Sequence, residues 1–392
     1  IIFFWVARMI MAGMEYMHEK PFSDVYFTGM VRDKLGRKMS KQLGNSPDLL
    51  NLIEQYGADA VRFGIMISSP AGNDLLFDEG SLEQGKHFNN KLWNALKLVK
   101  MWAERRAESK GELIKESESI NVILEVQNEG FAINWFQARL QEARIEVDKL
   151  MKEFRLNEAL KTIYSLVWDD YCSWFLEWIK PDFGGTIDDA SYDSAVRFFE
   201  DILQLLHPYM PFITEEIYHL LKERNDDLTV KQFEKTVLPD EAILHLGNSL
   251  KDTITSIRDL RNKNNIKPKD AVRLYIETQQ ASAYNPLQQI LGKQVNAESI
   301  KFNTTPENAA IAIVVGKEKI FIETNIEINP GAQKEKLLKD LDYLKGFLNA
   351  VDKKLSNDKF VQNAKPEIIE LERKKKSDAE EKIIMIEQSL ST

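Results

Sequence analysis

Apolar residues recur at helical spacing through the middle of the chain. Phe88, Leu92, Ala95, Val99 and Trp102 fall on one stripe, which predicts a helix that buries that face. A second helix is predicted over about 135–154, and a third over about 156–180, ended by Pro181 and the Gly184-Gly185 pair. A fourth starts near Asp189 and meets Pro208 and Pro211, where missing amide donors must kink or break it. A fifth covers about 246–262, with Leu250, Ile254, Ile257 and Leu260 on one face. Successive amphipathic helices of this kind make a helical bundle over residues 81–265.

The pattern changes on both sides of the bundle. Residues 1–80 mix apolar runs with glycine and proline, and Val25-Tyr26-Phe27-Thr28 reads as a strand closing an α/β unit. Within 266–330, short β-branched or aromatic runs at 272–277, 299–303, 310–315 and 319–323 predict a small sheet, with a helix near 285–291. That is a small α/β domain. Over 331–392, Leu337, Leu341, Leu344, Leu348, Val351 and Leu355 alternate spacings of four and three, a heptad seam. Pro366 sits where a second helix begins, and Ala379, Ile383, Ile386 and Leu390 give it a seam too. The short connection predicts an antiparallel coiled coil. The fold class is therefore mainly α.

The 392 residues suggest two to four domains. The apolar run at 1–10 is interrupted by Arg8 and too short to span a bilayer, and it lacks the flanks of a signal peptide. The chain opens at Ile1 in what looks like the middle of a folded element, so its start reads as a cut edge. A single cysteine, Cys172, excludes an intramolecular disulfide and a cysteine-cluster zinc site, which fits the cytoplasm. No metal site is expected. The hairpin seam is satisfied within one chain, so a monomer is the simplest expectation. Net charge is −9, which bears on solubility more than on partner, because phosphate contacts depend on local basic patches.

The stretch richest in chemistry is Gly36-Arg37-Lys38-Met39-Ser40-Lys41-Gln42-Leu43-Gly44-Asn45. Two lysines three apart in a glycine-bounded loop can close over an anion, since an ammonium is a compact charge with three donors. When an acid attacks the α-phosphate of ATP, charge builds on the phosphate oxygens, and lysines aimed there stabilise the transition state more than the ground state. A bare Lys-x-x-Lys is more often a solvated basic loop. The longer string resembles the KMSKS signature of class I aminoacyl-tRNA synthetases. Tyr56-Gly57-Ala58-Asp59-Ala60-Val61-Arg62 is similar to the segment that follows it in the valine, isoleucine and leucine enzymes, and Phe3-Phe4-Trp5-Val6-Ala7-Arg8-Met9 is most similar to the valine group. Val31-Arg32-Asp33 and Asn73-Asp74 extend the match. Gln42 departs from it, since serine is usual at the fifth signature position.

The resemblance continues through Leu206-His207-Pro208-Tyr209-Met210-Pro211-Phe212-Ile213-Thr214-Glu215-Glu216 and into the tail. It implies that 1–80 is the end of a class I nucleotide-binding domain, 81–265 an anticodon-binding bundle, 266–330 a junction domain and 331–392 a tRNA-binding arm. It implies valine, ATP with Mg2+, and the tRNA for valine as partners of the whole enzyme. It gives Lys41 and Lys38 the ATP contacts, with Met39 and Ser40 shaping the loop. The HIGH signature is not in the chain, so the chain alone is not expected to activate valine. A cysteine-rich zinc tail, usual in isoleucine enzymes, is also lacking, which favours valine over isoleucine or leucine. Candidate tRNA contacts are Arg258, Arg261, Lys263, Lys267 and Lys269, then Arg373, Lys374, Lys375 and Lys376. Residue by residue, a solvated helix face is the commoner explanation of such clusters. The aromatics from Trp168 to Trp178 read as core rather than a base-stacking platform, and His207 as structural. A module outside catalysis, in which the hairpin only docks RNA, is the other class to separate.

Overall fold

In the computed structural model, residues 1–70, 72–113, 126–279, 281–306, 308, 310–324, 330–357 and 366–391 are described. The tail positions Phe360, Val361 and Ala364 lie outside them. The chain divides into two compact units, one of residues 1–115, 139–173 and 182–238, the other of 116–138, 174–181 and 239–392.

In the first unit, α1 (Ala7–Ala12) lies between two π-helical turns. A two-residue parallel ladder joins β1 (Val31–Arg32) to β2 (Leu75–Leu76), and between them run α2 (Leu49–Tyr56) and α3 (Ala58–Ile67). The expected strand at 25–28 is not one. A strand persists only where a ladder closes its amide and carbonyl bonds, and that pairing begins at Val31. Next comes α4 (Glu79–Leu113), whose expected stripe is buried: Phe88, Leu92, Ala95, Val99 and Trp102. The rings of Phe63, Phe88 and Tyr164 meet at centroid distances of 4.9–5.8 Å. Their offset and tilted contacts anchor α3 and α4 to α6 (Leu156–Ser165).

α5 (Val126–Lys152) starts earlier than expected and contributes to both units. The helix after Leu156 runs on through a π-helical segment, Leu166–Phe175, into α7 (Leu176–Ile179). Of the five aromatics expected in the core here, Tyr171, Phe175 and Trp178 are buried, while Trp168 and Trp174 are half-buried. α8 (Asp189–Leu206) is capped by Asp188, whose side chain accepts from the Ser191 amide. The chain breaks at His207-Pro208, and α9 (Pro211–Leu221) restarts with proline in its first turn, where no amide is missed.

The second unit is built on α10 (Glu241–Lys263), capped by Asp240, with Leu250, Ile254, Ile257 and Leu260 buried. The sheet has the order β4-β3-β6-β5, from β3 (Val272–Glu277), β4 (Ala297–Phe302), β5 (Ala310–Val315) and β6 (Glu318–Glu323). β3 and β4 are parallel and joined by α11 (Gln288–Val295), while the other pairs are antiparallel. Gly316, at φ +60°, supplies the tight turn between β5 and β6. Two long helices follow, α12 (Pro330–Leu355) and α13 (Pro366–Ser391). Ion pairs Lys345–Glu387, Asp352–Lys376 and Lys354–Glu372 pair rising with falling numbers, so the two helices are antiparallel. Of the expected seam, Val351, Ala379, Ile383 and Ile386 are buried and Leu341, Leu344, Leu348 and Leu355 half-buried, while the side chains of Leu337 and Leu390 lie outside those described. The chain is mainly α with one small mixed sheet.

Candidate functional site

The lysine loop is a clasped turn. At its base, Asp74 accepts from the Met30 amide at 2.9 Å and pairs with Arg32. Asp33 accepts from the amides of Leu35 and Arg37 and from the Arg37 guanidinium. Across the loop, the Asn45 amide donates to Asp33 at 3.0 Å and to the Lys38 carbonyl at 3.3 Å, while its oxygen accepts from the Ser40 amide at 2.9 Å. Asn45, with Arg37, holds the Asp33 carboxyl down to about 2. Ser40 caps a 3₁₀ turn, Lys41–Leu43, its hydroxyl accepting from the Gln42 amide. Gly36 and Gly44 both lie at positive φ, which lets the loop reverse without strain. Gln42 gives the turn only its main-chain amide, and its side chain is exposed.

Lys38 and Lys41 are exposed on this frame, and neither has a carboxylate partner among the described residues. Met39 and Ser40 between them are half-buried. The loop is thus a hydrogen-bonded mount that presents two ammonium groups. Asp33, the carboxylate within the turn, is committed to Asn45 and Arg37.

The expected tRNA contacts divide. Arg261 is 4 % exposed, and its guanidinium donates to the carbonyls of Val295, Lys267 and Asp270. It ties the end of α10 to the turn before β3, so it is a structural post rather than a surface contact. Arg258 donates to the carbonyl and side chain of Gln294 and lies over the Trp174 ring. Arg258, Arg261, Lys293, Gln294 and Asn296 line a cavity of about 380 Å³. The side chains of Lys263, Lys267 and Lys269 are exposed and have no carboxylate partner among the described residues. In the arm, Arg373 and Lys374 are exposed and likewise without one among the described residues, whereas Lys375 pairs with Glu372 and Lys376 with Asp352. His207 bonds Thr214 at 2.8 Å, the structural role expected of it.

Sequence reasoning missed the partners of its own motifs. Asp59 and Arg62, noticed only as part of a resemblance, bind the proline junction at 208–213. Residues so far apart in sequence leave no periodic signal. Tyr26 also stacks on Phe154, at 5.7 Å between centroids.

Three family models match the chain. "tRNA synthetases class I (I, L, M and V)" matches residues 1–78, "Anticodon-binding domain of tRNA ligase" residues 134–276, and "Valyl tRNA synthetase tRNA binding arm" residues 331–392. Valine–tRNA ligases of Parabacteroides distasonis and Phocaeicola vulgatus are each 43 % identical to it, over 100 % of this chain and 43 % of theirs. That of Chlorobaculum tepidum is 32 % identical over 100 % of this chain and 44 % of its own. A solved LeuRS–tRNA–LeuAMS ternary complex from Agrobacterium radiobacter K84 aligns at 21 % identity and a TM-score of 0.42, over 61 % of this chain and 27 % of that one, too slight a likeness to add to the fold. The chain spans 43 % of the length of the relatives first named, and over its whole extent it is similar to that part of these valine–tRNA ligases.

Proposed function

We propose that this chain supplies the lysine loop and the tRNA-holding surfaces of a valine–tRNA ligase. The observation that supports this best is the order of the three matches along one chain: a class I segment holding the lysine loop, an anticodon-binding segment and a valyl-type arm. The arm favours valine over the isoleucine and leucine enzymes, and the lysine loop joined to an anticodon-binding bundle makes a docking module without catalysis the weaker reading for the whole protein.

In such an enzyme the valine carboxylate attacks the α-phosphorus of ATP. A carboxylate–phosphorus bond forms, and the bond to pyrophosphate breaks. Lys41 and Lys38 meet the growing charge on the phosphate oxygens, and the Asn45 clasp fixes the loop before the substrate arrives. In such an enzyme Mg2+ would accompany the nucleotide. A hydroxyl of the tRNA's 3′-terminal ribose then attacks the valyl carbonyl, so that the new ester bond forms as the bond to AMP breaks and AMP leaves. The bundle holds the anticodon side, and the arm braces the tRNA elsewhere through cations such as Arg373 and Lys374. The cytoplasm is the proposed place of this work. Among the described residues no helix is long and apolar enough to cross a membrane.

Within the intact enzyme, Lys41→Ala is expected to lower ATP–pyrophosphate exchange by about 100-fold while leaving tRNA affinity unchanged. Exchange that stays within about twofold of the parent would exclude the phosphate role, since loss of a transition-state contact cannot be that mild.

A further inference from the structure

One turn of α3 grips both sides of the proline break between α8 and α9. Arg62 donates through Nε to the Tyr209 carbonyl at 3.0 Å and through Nη2 to the Pro208 carbonyl at 2.9 Å. Asp59, three residues earlier, accepts from the amides of Ile213 at 2.6 Å and Phe212 at 3.4 Å. The two amides are in the first turn of α9, where a helix has no internal partner for them, and the two carbonyls belong to the linker between α8 and α9. An acid at a helix start and a cation at a helix end also match the two dipoles.

α3 cannot slide to follow a displaced junction on its own. A Cβ on Gly85 of α4 would meet the Ala60 carbonyl oxygen at 2.6 Å, and one on Gly64 would meet the Ser81 carbonyl oxygen at 2.8 Å, so the two helix backbones are in close contact. Both ends of α3 lead to the lysine loop. Upstream, α2 starts at its Asp48 cap, three residues after Asn45. Downstream, β2 pairs with β1, at the loop's entry, and Asp74 just before β2 pairs with Arg32.

We infer that Asp59 and Arg62 are positioning residues that make the proline junction of the bundle and the lysine loop move as one body, so that tRNA held by the bundle sets the loop. This rests on the tRNA-holding reading above. It gives the two motifs, 56–62 and 206–216, a common purpose, since each is the binding partner of the other.

The test is amide hydrogen exchange at residues 38–44 of this chain, with and without a transcript of the valine tRNA. In the parent, bound tRNA is expected to slow exchange there by about fivefold or more. Arg62→Gln and Asp59→Asn are each expected to bind the transcript within about twofold of the parent, yet to cut the slowing below about twofold. Arg62→Lys, which can reach one carbonyl, is expected to recover part of it. Slowing that persists in Arg62→Gln overturns the inference. So does loss of tRNA binding by the variants, because the pair would then only hold the bundle together. A parent chain that fails to bind the transcript overturns the reading beneath it, and the inference with it.

Discussion

Asn45 touches three parts of the lysine loop with one amide side chain, and the loop's acid depends on it. Asp33 is held down to about 2, chiefly by the Asn45 hydrogen bond and then by Arg37. Its unfolded value is about 3.9. Because the folded value is the lower, Asp33 contributes order to the loop above about pH 4, and that contribution is lost as pH falls toward about 2. Asn45→Ala is expected to raise the Asp33 midpoint toward its unfolded value and to speed exchange of the Ser40 amide. Carboxyl-detected titration by NMR checks the first and hydrogen exchange the second. Arg261 gives a contrast between neighbours. Arg261→Ala strands buried carbonyls and removes packing, an expected loss of about 2–4 kcal/mol in thermal or denaturant unfolding. Lys263→Ala, two residues on and exposed, is expected to stay within about 0.5 kcal/mol.

At the scale of elements, α10 and α5 approach closely where Gly247 faces Trp135. A Cβ on Gly247 would lie 2.1 Å from the Trp135 ring, and that ring is fully buried. Gly247→Ala is therefore expected to cost about 1–3 kcal/mol through overpacking, read from the denaturant midpoint of the second unit. The stripe of α4, the seam of α12 and α13 and the proline break were all legible in sequence, because each repeats a period or removes a donor locally. The strand expected at 25–28 failed because β propensity says nothing about whether a ladder partner exists. The π-helical turns at 166–175 were hidden for a related reason: one residue added to a turn hardly alters an apolar pattern already dense with aromatics. Of the candidate site, the lysines and their loop could be read from spacing and resemblance. The Asn45 clasp, the burial of Arg261 and the Asp59–Arg62 grip could not, since each depends on a main-chain group brought near only by folding.

At the scale of the whole molecule, a chain of net charge −9 that acts as proposed would have to meet a polyanion through a few exposed cations. Among the described residues, some of the candidate cations have no carboxylate partner and others are already paired. Replacing Arg373 and Lys374 together with alanine is expected to weaken binding of every tRNA and to reduce the salt slope by up to about two. Replacing Lys375 and Lys376, already paired with Glu372 and Asp352, is expected to change the slope less. The most direct test is fluorescence anisotropy of the chain against a valine tRNA and a non-cognate tRNA, each at two salt concentrations. Tighter binding of the valine tRNA, weakened but still preferred at the higher salt, is the result expected of a tRNA-holding part of a valine–tRNA ligase. Equal binding of both, or none at low salt, would contradict it.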